Sequence, residues 1–233
     1  MSTADCIIFL GPSLPRGQAE AILKADYRAP AGQGDIMRAV AARPAAIGLI
    51  DGIFKDAPTV RHREILWALS QGIPVFGASS MGALRAAELS DDGMIGVGLI
   101  YRWFRRFDLL SDDAVAVTHG PAELGAPGLS DALVDIRRSL RAGVRQGLIT
   151  PQKAAAHLKR ITSQPFPDRR IPEILAACAV HQKATDARAL LGQMADHQRR
   201  ADWPAPDLPQ PPVIHAWLDD LHDSGLKLAG FND

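Results

Sequence analysis

Cysteine is nearly missing from the 233-residue sequence, and the two present, Cys6 and Cys178, stand far apart. That excludes a disulfide framework or a cysteine-based zinc site. Cys6, at the head of an apolar run, reads as a buried small hydrophobe. Net charge is missing too. Lys and Arg number 26 and so do Asp and Glu, so nothing in the balance argues for a nucleic-acid backbone or an acidic membrane surface as partner. No apolar run approaches the roughly 20 residues that span a bilayer. Met1-Ser2-Thr3-Ala4-Asp5 puts no basic residue before the first apolar stretch and does not read as a secretory signal. The expected location is cytoplasmic. Metal-ligand constellations, a Walker loop and a complete G-x-G-x-x-G are also lacking, and no cofactor or metal is expected. There is no internal repeat.

What is present is ordinary globular composition, 47% hydrophobic and 22% charged. The length suits one large domain, or a main domain with a smaller appendage. Cys6-Ile7-Ile8-Phe9-Leu10, Ile47-Gly48-Leu49-Ile50 and Ile73-Pro74-Val75-Phe76 are continuous apolar runs, each followed by small or polar residues. Such runs suit strands buried on both faces. Residues 26–29 predict a further strand, and so do residues 114–117, closed by Gly120-Pro121. Helices are expected over 16–24, over 35–41 with Asp35 as cap, over 60–70 with Gly72 as stop, and over 83–89. A long helix over 129–146 would be capped by Ser130 and stopped by Gly147. This alternation predicts an α/β fold: an open, mostly parallel sheet of Rossmann or flavodoxin-like type, flanked by helices.

Past residue 150 the texture becomes Ala-rich, with helices expected over 151–163 and 171–200, an α-helical C-terminal extension. The division is then 1–150 for the α/β core, 151–202 for the helical extension, and 203–233 for a Pro-rich arm with a short helix at 213–223. That last helix would pack on the body or on a neighbouring subunit, which leaves room for a homo-oligomer.

In open parallel sheets, ligands bind beyond the carboxyl ends of the strands. Ser13, Asp51, and Ser79 with Ser80 all follow such ends. Ala78-x-Ser80-x-Gly82 resembles a nucleophile elbow, with small residues permitting the turn and helix-start N–H groups facing a developing oxyanion. Equally, Ser79 or Ser80 caps the helix or helps bind an anion. A nucleophilic serine needs a base, for which His62 and His119 are the candidates. Asp51 can orient a histidine, a water or a ligand hydroxyl, or simply form an Asp-Gly turn. Arg85 and Glu88 stand at i, i+3, either as a local pair or with Arg85 free to grip a carboxylate or thiocarboxylate.

Taken in order, Gly11-Pro12-Ser13, Gly34-Asp35, Ile50-Asp51-Gly52-x-Phe54, Val60-x-His62-x-Glu64-Ile65-Leu66, Gly77 through Glu88, Gly93-Met94-x-Gly96-x-Gly98 and Asp112-Asp113-x-Val115-Ala116-Val117-x-His119 resemble the TfuA-like family over roughly residues 6–147. The resemblance implies an accessory enzyme of ribosomal peptide natural product biosynthesis. It would act beside a YcaO enzyme, which activates the peptide amide with ATP, in peptide backbone thioamidation. Its own reaction would be hydrolase-like, releasing sulfide from a thiocarboxylated, ubiquitin-like sulfur carrier of the ThiS type. The alternative is a non-catalytic adaptor that docks the YcaO, its peptide or a carrier. Residues and resemblance together nominate Ser80, Asp51 and His119 as catalytic. They nominate Ser13, Asp35, Gly52, His62, Ser79, Gly82, Arg85 and Glu88 as substrate-binding.

Overall fold

In the computed structural model, which describes residues 6–54, 58–107, 111–121, 127–206 and 208, five short strands form one parallel sheet in the order β2-β1-β3-β4-β5. They are β1 (Ile7–Phe9), β2 (Asp26–Arg28), β3 (Ile47–Leu49), β4 (Val75–Gly77) and β5 (Ile95–Gly96). The helices between them are α1 (Arg16–Glu20), α2 (Asp35–Ala41), α3 (His62–Ser70) and α4 (Met81–Leu89). After β5 come α5 (Gly98–Arg106), α6 (Leu133–Arg145), α7 (Pro151–Thr162) and α8 (Gln182–Arg200). The fold is α/β with an open parallel sheet. Its order reverses between β1 and β3, the switch point where the loops leave in opposite directions and open a crevice.

Strand periodicity decides which helix covers which face. Ile7, Phe9, Ile47, Leu49 and Val75 pack with Ile36 and Val40 of α2, Ile65 and Leu69 of α3, and Ala86 and Leu89 of α4. The alternate residues, Ile8, Phe76 and the flanking Cys6, Leu10 and Ile50, pack with Ala19 of α1 and with Leu190, Leu191 and Met194 of α8. Gly48 is what lets α8 in. A Cβ there would lie 2.6 Å from Ile8 Cδ1 and 3.0 Å from Met194 Sδ. Thus α8, from the far end of the chain, lies on the sheet itself. A third apolar cluster joins Ala83 and Ile100 to Leu133, Ile136, Leu140, Ile161 and Leu175.

Local signals account for most helix ends. Thr150 accepts a hydrogen bond from the Lys153 N–H at 3.2 Å, with Pro151 as first helical residue. Buried Glu64 accepts from the N–H groups of Gly34 at 2.8 Å and Arg61 at 3.1 Å, so one carboxylate serves the starts of both α2 and α3.

Five expectations are corrected. The single helix expected over 171–200 is a 3-10 segment, Glu173–Cys178, followed by α8 from Gln182. Residues 114–117 form no strand: Asp112–Ala114 is a 3-10 turn, and the Val115 carbonyl accepts from side chains rather than from a neighbouring strand. Ser130 does not cap α6. Its Oγ accepts the Thr118 N–H at 2.8 Å instead, and the helix starts at Leu133. Asp35 is the first residue of α2, not its cap, which is Gly34 with φ of 83°. The helix at 16 ends at Glu20, because Leu23 and Tyr27 must turn back into the core. Among residues 203–206, Trp203 packs against the rings of Phe76 and His197 at 6.1 and 5.7 Å. The helix expected at 213–223 lies outside the described residues. No helix among the described residues is long and apolar enough to cross a membrane.

Candidate active site at the β1/β3 crevice

Three of the nominated residues meet in one hydrogen-bonded chain. Ser79 Oγ donates to Ser13 Oγ at 2.8 Å, and Ser13 Oγ donates to Asp51 Oδ1 at 2.6 Å. Asp51 Oδ2 accepts the backbone N–H groups of Gly11 at 2.9 Å and Ser13 at 3.0 Å. Asp51 is 2% exposed, so the carboxylate ties the β1 loop to the β3 loop from inside, at the switch point.

The turn that delivers Ser79 is strained. Ser79 has φ of 70°, and the Ser80 N–H donates to the Ala78 carbonyl at 2.8 Å around it. This is a γ-turn with a positive-φ centre, a costly conformation for a residue with a Cβ. The strained elbow position expected at Ser80 therefore belongs to Ser79. Its neighbour Ser80 sits at the start of α4 with Oγ directed to the Val115 carbonyl at 3.4 Å. Neither serine caps the helix through its side chain: Ser80, the capping residue, makes no such bond.

The helix start is less bare than expected. Gly82 N–H points to the Ile50 carbonyl at 3.4 Å, and Ala83 and Leu84 donate to the Ser80 carbonyl. Among the described residues, the remaining first-turn donor is the Met81 N–H. Gly82 and Gly77 hold α4 hard against the sheet, since a Cβ on Gly82 would lie 1.7 Å from the Leu49 carbonyl oxygen and one on Gly77 2.2 Å from the Gly82 carbonyl oxygen. Gly52 is similarly confined by Met81 and the Ala31 carbonyl. These glycines set the depth of the crevice.

One residue at the site was not foreseen. Lys183, at the start of α8, is 4% exposed. Its Nζ donates to the Val115 carbonyl at 2.9 Å, the acceptor that Ser80 Oγ also addresses, and stands 4.0 Å from Asp51 Oδ1. Burial holds its pKa below the ordinary lysine value, against the opposing pull of Asp51 and Asp135. Asp135 on α6 accepts the Lys183 N–H at 3.1 Å, and burial pushes its carboxyl up to about 6 despite the nearby ammonium. No sequence signal marks Lys183, since it lies in a polar helical stretch far beyond the other site residues.

The other nominated residues lie elsewhere. Arg85 is 9% exposed; its Nε donates to the Val60 carbonyl at 2.9 Å and its Nη1 to Glu88 Oε2 at 2.6 Å. Glu88 Oε2 also meets His62 Nε2 at 2.9 Å. Burial alone would raise the Glu88 pKa, but the bonds from His62 and Arg85 outweigh it and hold the group below its ordinary value. This trio clamps α3 to α4. Asp35 accepts the Gly32 N–H at 2.7 Å and pairs with Arg38. His119 bonds the Gly120 carbonyl through Nδ1 at 2.9 Å. Among the described residues no hydrogen bond joins His119 or His62 to Ser79, Ser80, Ser13 or Asp51. Nor do three His, Cys, Asp or Glu side chains gather there to hold a metal ion.

Chemically the crevice offers three serine hydroxyls, a buried carboxylate and a buried amine of lowered proton affinity, with the Met81 amide at the adjoining start of α4. Lys183 Nζ and Ser80 Oγ share the Val115 carbonyl as acceptor, and a serine activated without histidine takes a nearby amine as its base. No curated protein matches the chain. The model of the TfuA-like protein family matches residues 51–170, which hold Asp51, Ser79, Ser80 and Asp135. That match spans more than half of the sequence and agrees with the motifs read along it: the chain belongs to the TfuA-like family.

Proposed function

We propose that the chain is a hydrolase-like sulfur donor, which takes a thiocarboxylated, ubiquitin-like carrier of the ThiS type and releases sulfide for a YcaO enzyme that thioamidates a peptide backbone. The observation that carries this reading is the convergence of Ser13, Asp51, Ser79, Ser80 and Lys183 at the switch point. A carrier tail is a flexible acyl chain, and the crevice offers it small residues and an amide donor. In the first step Ser80 Oγ attacks the thiocarboxylate carbon and gives its proton to the Lys183 amine, whose burial favours the uncharged form. The C–S bond breaks and the proton follows the sulfur, which leaves as hydrosulfide. Water, deprotonated by the same amine, then cleaves the acyl-serine and restores both groups, with carrier carboxylate as product. Negative charge on the carbonyl oxygen faces the Met81 N–H, a type of donor that contributes about 3 kcal/mol in a well-built oxyanion site. The hydroxyl chain from Ser79 through Ser13 to Asp51 keeps the elbow in place.

The test is to incubate the protein with thiocarboxylated carrier and follow sulfide. Ser80→Ala and Lys183→Gln should each slow release by about 10²-fold or more. Release unchanged in both variants would overturn the mechanism.

A second reading has its own support. Ser79 is 0% exposed and Ser80 8%, which fits a scaffold that docks a carrier tail or a YcaO partner without turnover. Stable complex formation by a protein that releases no sulfide would favour it.

A further inference from the structure

Away from the crevice, α6 and α7 border an open cavity of about 580 Å³ lined by Arg137, Arg138, Arg141 and Arg145 with apolar Leu140 and Leu158 among its walls. The arginines at 137, 141 and 145 repeat every four residues, so one side of α6 carries a cationic row about 12 Å long. Nε of Arg137 and Nε of Arg138 are buried without a hydrogen-bond acceptor. Among the described residues no Asp or Glu forms a salt bridge with any of the four. Like charges at i, i+4 repel, and a buried donor left unmatched loses its hydration with no hydrogen bond in return. The row is therefore costly to the isolated chain, and an anion seated in the cavity would offset that cost.

We infer that this cavity is the docking site for an acidic peptide segment of a partner chain, one that carries apolar side chains. Charge complementarity supplies the argument. Carboxylates spaced one helical turn apart match the arginine spacing, and their guanidinium partners can bind them in bidentate fashion. The apolar walls take the leucine-type side chains between the acids, as a groove takes one face of an amphipathic helix. A bare phosphate or nucleic-acid strand would leave those walls unmatched. This inference stands apart from the sulfide-release reading, since none of its residues belongs to the crevice.

The experiment uses the full chain and a fluorescent 14-residue peptide with Leu at every third or fourth position and Glu between, read by anisotropy. A twin peptide with Gln for Glu, decanoate and inorganic phosphate are the competing probes. Arg141 and Arg145 are exposed, so the double variant Arg141→Glu, Arg145→Glu should fold, which a cooperative melt at no lower temperature than the parent would verify. Arg141→Gln serves as the milder second variant. The expected result is saturable binding of the Glu peptide that weakens about tenfold or more in the double variant, with the Gln peptide and with added salt. Equal binding of the two peptides, binding indifferent to both variants, no binding at all, displacement by phosphate, or a preference for decanoate over peptide would each overturn the proposal.

Discussion

Replacing Gly82 by Ala puts the close approach of α4 to the sheet under direct test. Gly82 lies inside a helix, where Gly→Ala normally stabilises by about 1 kcal/mol. Here the added methyl would sit 1.7 Å from the Leu49 carbonyl oxygen and 2.6 Å from its carbonyl carbon, roughly half of an ordinary contact distance. Both obstacles are backbone atoms of β3, so no side chain can swing aside. The helix must lift off the sheet, loosening Ala86 and Leu89 from their core neighbours. Overpacking typically costs about 1–3 kcal/mol, and backbone obstruction places this case at the upper end. After the propensity gain the net loss is about 2 kcal/mol or more. For a chain of this size that lowers the melting temperature by about 4–8 °C. The control is Gly192→Ala in α8, where a Cβ meets nothing within 4 Å, and which should gain about 2–4 °C. Thermal denaturation of the three proteins side by side reads both effects. Equal or higher stability for Gly82→Ala would refute the close approach, and with it the depth assigned to the crevice.

Other expectations rest on the same contacts. Because the folded-state pKa of Asp135 is raised from 3.8 to about 6, the folded protein binds more protons than the unfolded chain between those values. Its contribution is complete below pH 3.8 and is lost as pH rises through 6; urea midpoints should show up to about 3 kcal/mol of pH dependence that Asp135→Asn lacks. Ser79→Gly relieves the positive φ and should be more stable than Ser79→Ala, which keeps the strain and loses the bond to Ser13; a chemical-denaturation series in which Ala matches Gly would contradict the γ-turn. Asp51→Asn keeps one oxygen for the Gly11 and Ser13 N–H groups but takes away the acceptor of the Ser13 hydroxyl and the charge facing Lys183, and should cost about 2–4 kcal/mol by denaturant midpoint. Arg169 is 3% exposed and donates to Asp113 Oδ2, the Asp113 carbonyl and the Gln164 carbonyl. Arg169→Lys keeps the charge but not the planar fork, so a melting temperature unchanged by it would argue against this triple contact.

The sheet was legible because buried parallel strands must be apolar on both sides, and Ile7-Ile8-Phe9 and Ile47-Gly48-Leu49 have nothing polar to expose. Ser13 and Asp51 were legible for a related reason: they are the first polar residues past those runs, and parallel topology sends all such loops to one edge. Val115 misled because apolar alternation does not tell a strand from a buried coil whose carbonyl serves side chains. The choice between Ser79 and Ser80 turns on one backbone dihedral, to which two adjacent serines give no clue. Arg85, Glu88 and His62 look like a site in sequence because charged residues cluster there, yet their geometry satisfies each charge locally. Lys183 was beyond reach altogether. Its role comes from burial beside two carboxylates on other elements, and burial of a lysine leaves no mark on the neighbouring residues of its own helix.

The seating of α8 on β1 and β4 has a consequence for how the molecule is made. During synthesis the first strands emerge long before the helix that shields Ile8 and Phe76, so one side of the nascent sheet stays greasy until nearly 200 residues have been joined. The amine that completes the crevice arrives with that same helix. Shelter for the sheet and readiness of the pocket are thus reached in a single late event, and a polypeptide released early would hold neither.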